Sequence, residues 1–168
     1  MEPIWCFSRF GTSFTELPDG KFVQIGGEHE DYYDPDFYIY NDVIVHERSG
    51  RLQILGYPKD VFPPTDFHSA TYSEGNIYII GGLGYHGSRI FGTTPIYRLK
   101  CQTWKIDRFP SVGDNPGWIY KHKASLAGPG FLVVSGGQVC KEIDGKEQHI
   151  ENREKFRLDL SNGKWTRI

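Results

Sequence analysis

The chain has 168 residues, 20 of them glycine and 10 proline, with 15% aromatic residues and a formal net charge of -2. A charge this close to balance argues against a nucleic-acid or anionic-membrane surface, no apolar run approaches membrane-spanning length, and the N-terminus lacks the basic region and long apolar core of a secretory signal. Three cysteines, Cys6, Cys101 and Cys140, are an odd number without stapled spacing, which suits a reduced, cytoplasmic protein better than a disulfide scaffold.

In chain order, a first strand is expected over 13–17, followed by the turn Pro18-Asp19-Gly20 and a second strand, Phe22 to Ile25, that ends in Gly26-Gly27. A third strand follows over Val43 to His46, then the Ser49-Gly50 turn and a fourth strand starting at Leu52. The pattern then repeats. His68 to Tyr72, the turn Glu74-Gly75-Asn76, Ile77 to Ile80, Gly81-Gly82, Ile96 to Leu99 and a strand from Trp104 make a second unit. Lys123 to Ala127, Gly128-Pro129-Gly130, Phe131 to Val134, Gly136-Gly137, Phe156 to Asp159 and a strand from Trp165 make a third. The glycine pairs recur every 55 residues, as do the turn glycines Gly20, Gly75 and Gly130, so one supersecondary unit is built three times. The best helical candidate, 146–155, is charged throughout with only Ile150 as an apolar anchor.

Four antiparallel strands per unit, with a Gly-Gly closing the second and an aromatic opening the fourth, resemble the kelch repeat of β-propellers over nearly the whole chain. The resemblance implies an all-β fold of three kelch-like four-stranded blades, about 9–56, 67–108 and 122–168, in a single domain. It also implies that Trp104 and Trp165 pack between neighbouring blades, with Leu52 departing from that position. Propellers close with 4 to 8 blades, so three form half a ring and leave a flank of the first and of the third blade to water. Both flanks are expected to be apolar, which calls for a partner. A second copy completing a six-bladed ring is the simplest, making a homodimer; a longer propeller of which this is a fragment is the alternative.

In a meander the longer connections gather on one rim, here 28–40, 83–93 and 138–152 within units and 56–66 and 108–121 between them. His29, His68, His86, His122 and His149 lie on those loops or at adjoining strand entrances. The ligand- or partner-binding candidates on this rim are His29, Tyr32, Tyr33, Tyr85, His86, Arg89, Trp118 and Tyr120. Arg9, Arg89 and Lys121 could receive an anion or be salt-bridged. Glu28 to Asp36 carries five carboxylates in nine residues, and Asp31, Asp34 and Asp36 could hold Ca²⁺. Their spacing matches no EF-hand and the histidines lack paired zinc-ligand spacing, so a solvated acidic loop without metal or cofactor is expected.

No Gly-x-Ser-x-Gly elbow or phosphate-cradling loop is present. Two functions are compatible with this: a recognition module that binds a protein or peptide through the long-loop rim, or a small enzyme acting on a sugar or other polar metabolite. The enzyme would use His68, His122 and Glu28 for acid-base work. In kelch-like repeats a His-Ser pair such as His68-Ser69 is instead a blade-packing element.

Overall fold

The structure is a computed structural model that describes residues 5–29 and 37–168. It is all-β, with several antiparallel sheets, none of them closed. The strands are β1 (Ser13–Glu16), β2 (Phe22–Ile25), β3 (Glu28–His29), β4 (Tyr38–Ile39), β5 (Val43–His46), β6 (Leu52–Leu55), β7 (Ser69–Ser73), β8 (Asn76–Ile80) and β9 (Ile96–Lys100). They continue as β10 (Lys105–Arg108), β11 (Val112–Gly113), β12 (Trp118–Tyr120), β13 (Lys123–Leu126), β14 (Phe131–Ser135), β15 (Gln138–Ile143), β16 (Lys146–Glu151), β17 (Lys155–Asp159) and β18 (Lys164–Arg167). Three four-stranded antiparallel meanders recur, β1-β2-β5-β6, β7-β8-β9-β10 and β13-β14-β17-β18, the last extended at its edge by the parallel bridge to β11. No helix among the described residues is long and apolar enough to cross a membrane.

Because side chains alternate across a strand, each meander has one face toward the preceding unit and one toward the next. Val23, Ile25, Val43 and Val45 of the first pack with Ile77, Ile79, Leu99 and Ile106 of the second. Tyr78, Ile80 and Ile96 of the second pack with Leu132, Val134, Phe156, Leu158 and Trp165 of the third. The register aligns Leu52, Ile106 and Trp165, each opposite His46, Leu99 and Leu158 respectively. Trp165 therefore sits buried between meanders as expected. Trp104 does not share its register position: it lies in the preceding turn with φ 56°, where it packs, partly buried, against the core between the first two meanders, while Ile106 takes the aligned place.

The first two glycine pairs lie where the next unit enters. Gly27 N–H donates to the Thr65 carbonyl at 2.8 Å, and Gly82 N–H to the Ile119 carbonyl at 2.9 Å. A Cβ at Gly26 would collide with Thr65 O, and one at Gly81 with Ile119 O. Gly136 has nothing within 4 Å of such a Cβ. The shared motif thus does two jobs: it gives the chain a left-handed bend in all three units, and it admits a neighbour's backbone in the first two.

Two expectations need correction. The 138–152 segment is a hairpin, β15 with β16, rather than a long loop, and the helical candidate 146–155 is strand over Lys146–Glu151. Asp144-Gly145 supplies the turn, with positive φ at both residues, and alternation then outweighs the charge pattern. The second correction concerns the free faces. The first meander's is apolar, with Phe14, Phe22, Leu52 and Ile54 exposed, and Phe7 packed edge-on against His46. The third meander's carries exposed Lys123, Ser125, Lys155, Arg157 and Thr166 around half-buried Val133 and Ser135. Where the first two units have Ile25 and Ile80 beside Val43 and Ile96, the third has Ser135 beside Lys155. Only the first of the two free faces is therefore apolar.

The glycine geometry makes a paired prediction. Gly81 and Gly136 share φ +67°, so alanine at either costs about 1–2 kcal/mol of left-handed strain. Gly81→Ala adds the collision with Ile119, a further ~1–3 kcal/mol of overpacking. Urea unfolding is expected to show Gly81→Ala clearly less stable than Gly136→Ala; equal losses would contradict the role assigned to the entering segment.

Candidate functional site

The first strands of the three meanders, β1, β7 and β13, stand side by side, and His68 and His122 enter the latter two. His68 Nε2 lies 2.8 Å from Ser13 Oγ of the preceding meander, and His122 Nε2 lies 2.8 Å from Ser69 Oγ. Each histidine thus staples its unit to the one before. The series stops at the ends: Thr12 holds the histidine position in the first unit and bonds to Ile25 O, and Lys123 holds the serine position in the third. Burial drives the His68 pKa down to about 3, helped by nearby His122, and burial drives His122 to about 4. His68 Nδ1 reaches Thr65 Oγ1 at 3.4 Å, whereas Ile119 stands at the equivalent place and leaves His122 Nδ1 buried without a partner. An unpartnered nitrogen is cheapest without its proton, so His122 donates through Nε2 to Ser69. These are neutral structural groups, spent on bonds between meanders.

The other sequence candidates divide between two places. His29 pairs across β3 and β4 with Tyr38, and Tyr85 reaches over from the second unit, its hydroxyl accepting the Ile39 N–H at 2.9 Å. Nearby Asp66 is fully buried; desolvation raises its pKa, opposed by the Gly84 N–H at 2.7 Å, by Glu28 and by Arg89. Tyr32, Tyr33, Asp31, Asp34 and Asp36 lie outside the described residues.

His86, Arg89, Trp118 and Tyr120 do come together, around the hairpin β15–β16. β12 pairs with β15 so that Trp118 faces Cys140, which faces His149. Arg89 pairs with Glu147, and its other nitrogens donate to Leu83 O and Gly84 O at 3.0 Å each. His86 Nδ1 lies 2.6 Å from Glu147 Oε2, and His149 Nε2 3.2 Å from Oε1. Tyr120 OH contacts Gln138 and lies 2.8 Å from His149 Nδ1. Trp118 Nε1 donates to Leu83 O at 3.1 Å, pinning the 83–93 loop from the other side. Cys140 and Glu147 were missed as site residues because their segment read as loop or helix. The Asp144-Gly145 turn was the available signal, since a two-residue turn there puts residue 140 opposite 149.

Burial pushes the Cys140 thiol up to about 11, so it is no nucleophile near neutrality although His149 is 3.5 Å away. The other two basic candidates, Arg9 and Lys121, are occupied as well: Arg9 forms a buried two-pronged pair with Asp42 at 2.5 and 2.9 Å, and Lys121 lies over the Phe67 ring at 4.6 Å. Beside the cluster is an open cleft of about 620 Å³ including its mouth, walled by Pro63, Pro64, Pro95, Ile90, Tyr97 and Trp118, with Arg108 at its edge. Arg108 has no ion-pair partner among the described residues. No protein-family model matches this chain, and no curated protein matches it either.

The histidine staples set a pH dependence. Their folded pKa values fall below the ordinary ~6.5, so the unfolded chain binds more protons below that pH. Stability is fully present above ~6.5 and is lost as pH falls toward about 4 for His122 and about 3 for His68, with a slope approaching ~1.4 kcal/mol per pH unit for each histidine. His122→Gln should lower the slope that urea unfolding shows between pH 6 and 4.5 by an amount approaching ~1.4 kcal/mol per pH unit; Asp66 is common to both proteins and cancels in this difference. An unchanged slope would contradict the assignment.

Proposed function

We propose that the chain is a kelch-like β-propeller recognition module that binds an extended peptide segment of a protein partner on its long-loop rim. The observation that carries this reading is the proline- and aromatic-walled cleft at Tyr97 and Trp118, with unpaired Arg108 beside it. Its walls are preorganised: Leu83 O receives both Arg89 and Trp118, so little loop ordering is left for binding to cost. An apolar or proline-containing segment with a neighbouring carboxylate has the matching chemistry. The alternative, an enzyme acting on a polar metabolite, would need an imidazole poised near neutral pH beside a carboxylate. His68 and His122 are buried against serines instead, and the depressed pKa of each keeps it neutral.

The proposal extends to assembly. A second copy that closed a six-bladed ring would lay the apolar face of the first blade, with Phe14 and Ile54, on the third blade's Lys155 and Arg157. Burying unpaired cations against apolar groups is costly, so in this reading the third face stays in water and a partner that covers the first face leaves it open.

Selection from a random peptide display library on the immobilised protein tests the recognition reading. Trp118→Ala and Arg108→Glu are each expected to weaken the selected peptides at least tenfold, as loss of a central aromatic or arginine anchor does, at roughly 2 kcal/mol. Asp19→Ala on the short-turn rim should leave affinity unchanged. Selected peptides that bind the Trp118 and Arg108 variants as tightly as the parent would refute the cleft as the site.

A further inference from the structure

Hairpin β15–β16 places three kinds of ligand on one face. Cys140 and His149 are directly opposed, and Glu147 lies two residues from His149 on the same side of the strand. One ligand atom from each of the three lies within 4.8 Å of the other two. The Cys140 Sγ to His149 Nδ1 distance is 3.5 Å. A tetrahedral zinc ion with a ~2.3 Å bond to sulfur and a ~2.0 Å bond to nitrogen sets that edge at about 3.5 Å.

The surroundings have the form of a built site. Cys140 is fully buried, and the Glu147 side chain is about nine-tenths buried, with an Oε2 that accepts no well-directed hydrogen bond. His149 is partly exposed, which leaves an entry path. Arg89 holds Glu147 by the opposite oxygen and is itself fixed by Leu83 O and Gly84 O, so Glu147 is oriented whether or not an ion is bound. His86 reaches the same carboxylate from the second unit's loop.

We propose that Cys140, Glu147 and His149 form a Zn²⁺ site, with the fourth position taken by water or by His86. One thiol, one imidazole and one carboxylate is a donor set for a borderline-soft ion; Ca²⁺ and Mg²⁺ call for oxygen ligands throughout. Binding displaces the thiol proton to solvent and creates a Zn–S bond without any redox change. The bound ion would clamp the third unit's hairpin toward the second unit's 83–93 loop through His86. This assignment stands apart from the peptide reading, because it rests on the ligand geometry alone.

Calorimetric titration of metal-free protein with Zn²⁺, and spectra of the Co²⁺-loaded protein, test it together. The parent should take up one equivalent of Zn²⁺, and its Co²⁺ form should show a thiolate-to-cobalt charge-transfer band. His149→Ala should weaken Zn²⁺ by at least ~100-fold, Cys140→Ser should abolish the band, and His29→Ala should match the parent. His149 is partly exposed, so its alanine variant decides the matter should Cys140→Ser fail to fold. Lack of saturable one-to-one binding, an unaltered affinity in His149→Ala, or a Co²⁺ form without the band would each overturn the site.

Discussion

The architecture depends on one backbone-to-backbone contact, the approach of each unit's entering segment to the glycine pair of the unit before it. Gly27 N–H reaches Thr65 O, and Gly82 N–H reaches Ile119 O. A side chain at either preceding glycine would hold the segments apart. The approach sets the spacing at which Val23, Ile25, Val43 and Val45 meet Ile77, Ile79, Leu99 and Ile106, and the buried contact follows from it. It also brings His68 within 2.8 Å of Ser13 and His122 within 2.8 Å of Ser69.

Two functional consequences follow. His68 and His122 are neutral because the packing that positions them also removes them from water. The ionic side chains gather instead among the longer connections, where Arg89, His86, Glu147 and His149 meet between the second and third units and the Trp118 cleft opens beside them.

Most of the fold could be read from the chain because its signals are local and repeated. The glycine pairs, the turn at Gly20 and its equivalents, and the alternation in strands such as Val43–His46 each announce themselves within a few residues. What failed to show was the part set by cross-strand register. Trp104 seemed to match Trp165 by its place after a turn, yet pairing gives that position to Ile106. The 138–151 hairpin was hidden by its charges, since Lys141, Glu142, Lys146 and Glu147 suit a helix surface as well as a solvated strand pair. With the hairpin went Cys140, Glu147 and half of the candidate site. His86, Arg89, Trp118 and Tyr120 were identified singly by residue type and loop position, and only the fold could bring them together. The polarity of the third face lay in plain view in Ser135, Lys155 and Arg157, but a repeat-based reading carries the apolar pattern of the first two units onto the third.

Three equivalent glycine amides offer the most direct test of the central claim. Gly27 and Gly82 donate to the next unit and are buried, whereas Gly137, at the same place in the third unit, has no backbone acceptor among the described residues. Residue-resolved amide hydrogen exchange by NMR should show Gly27 and Gly82 strongly protected and Gly137 exchanging much faster, in keeping with a third face left in water. A Gly137 amide as protected as the other two would contradict this account, and would mean that another backbone is seated there.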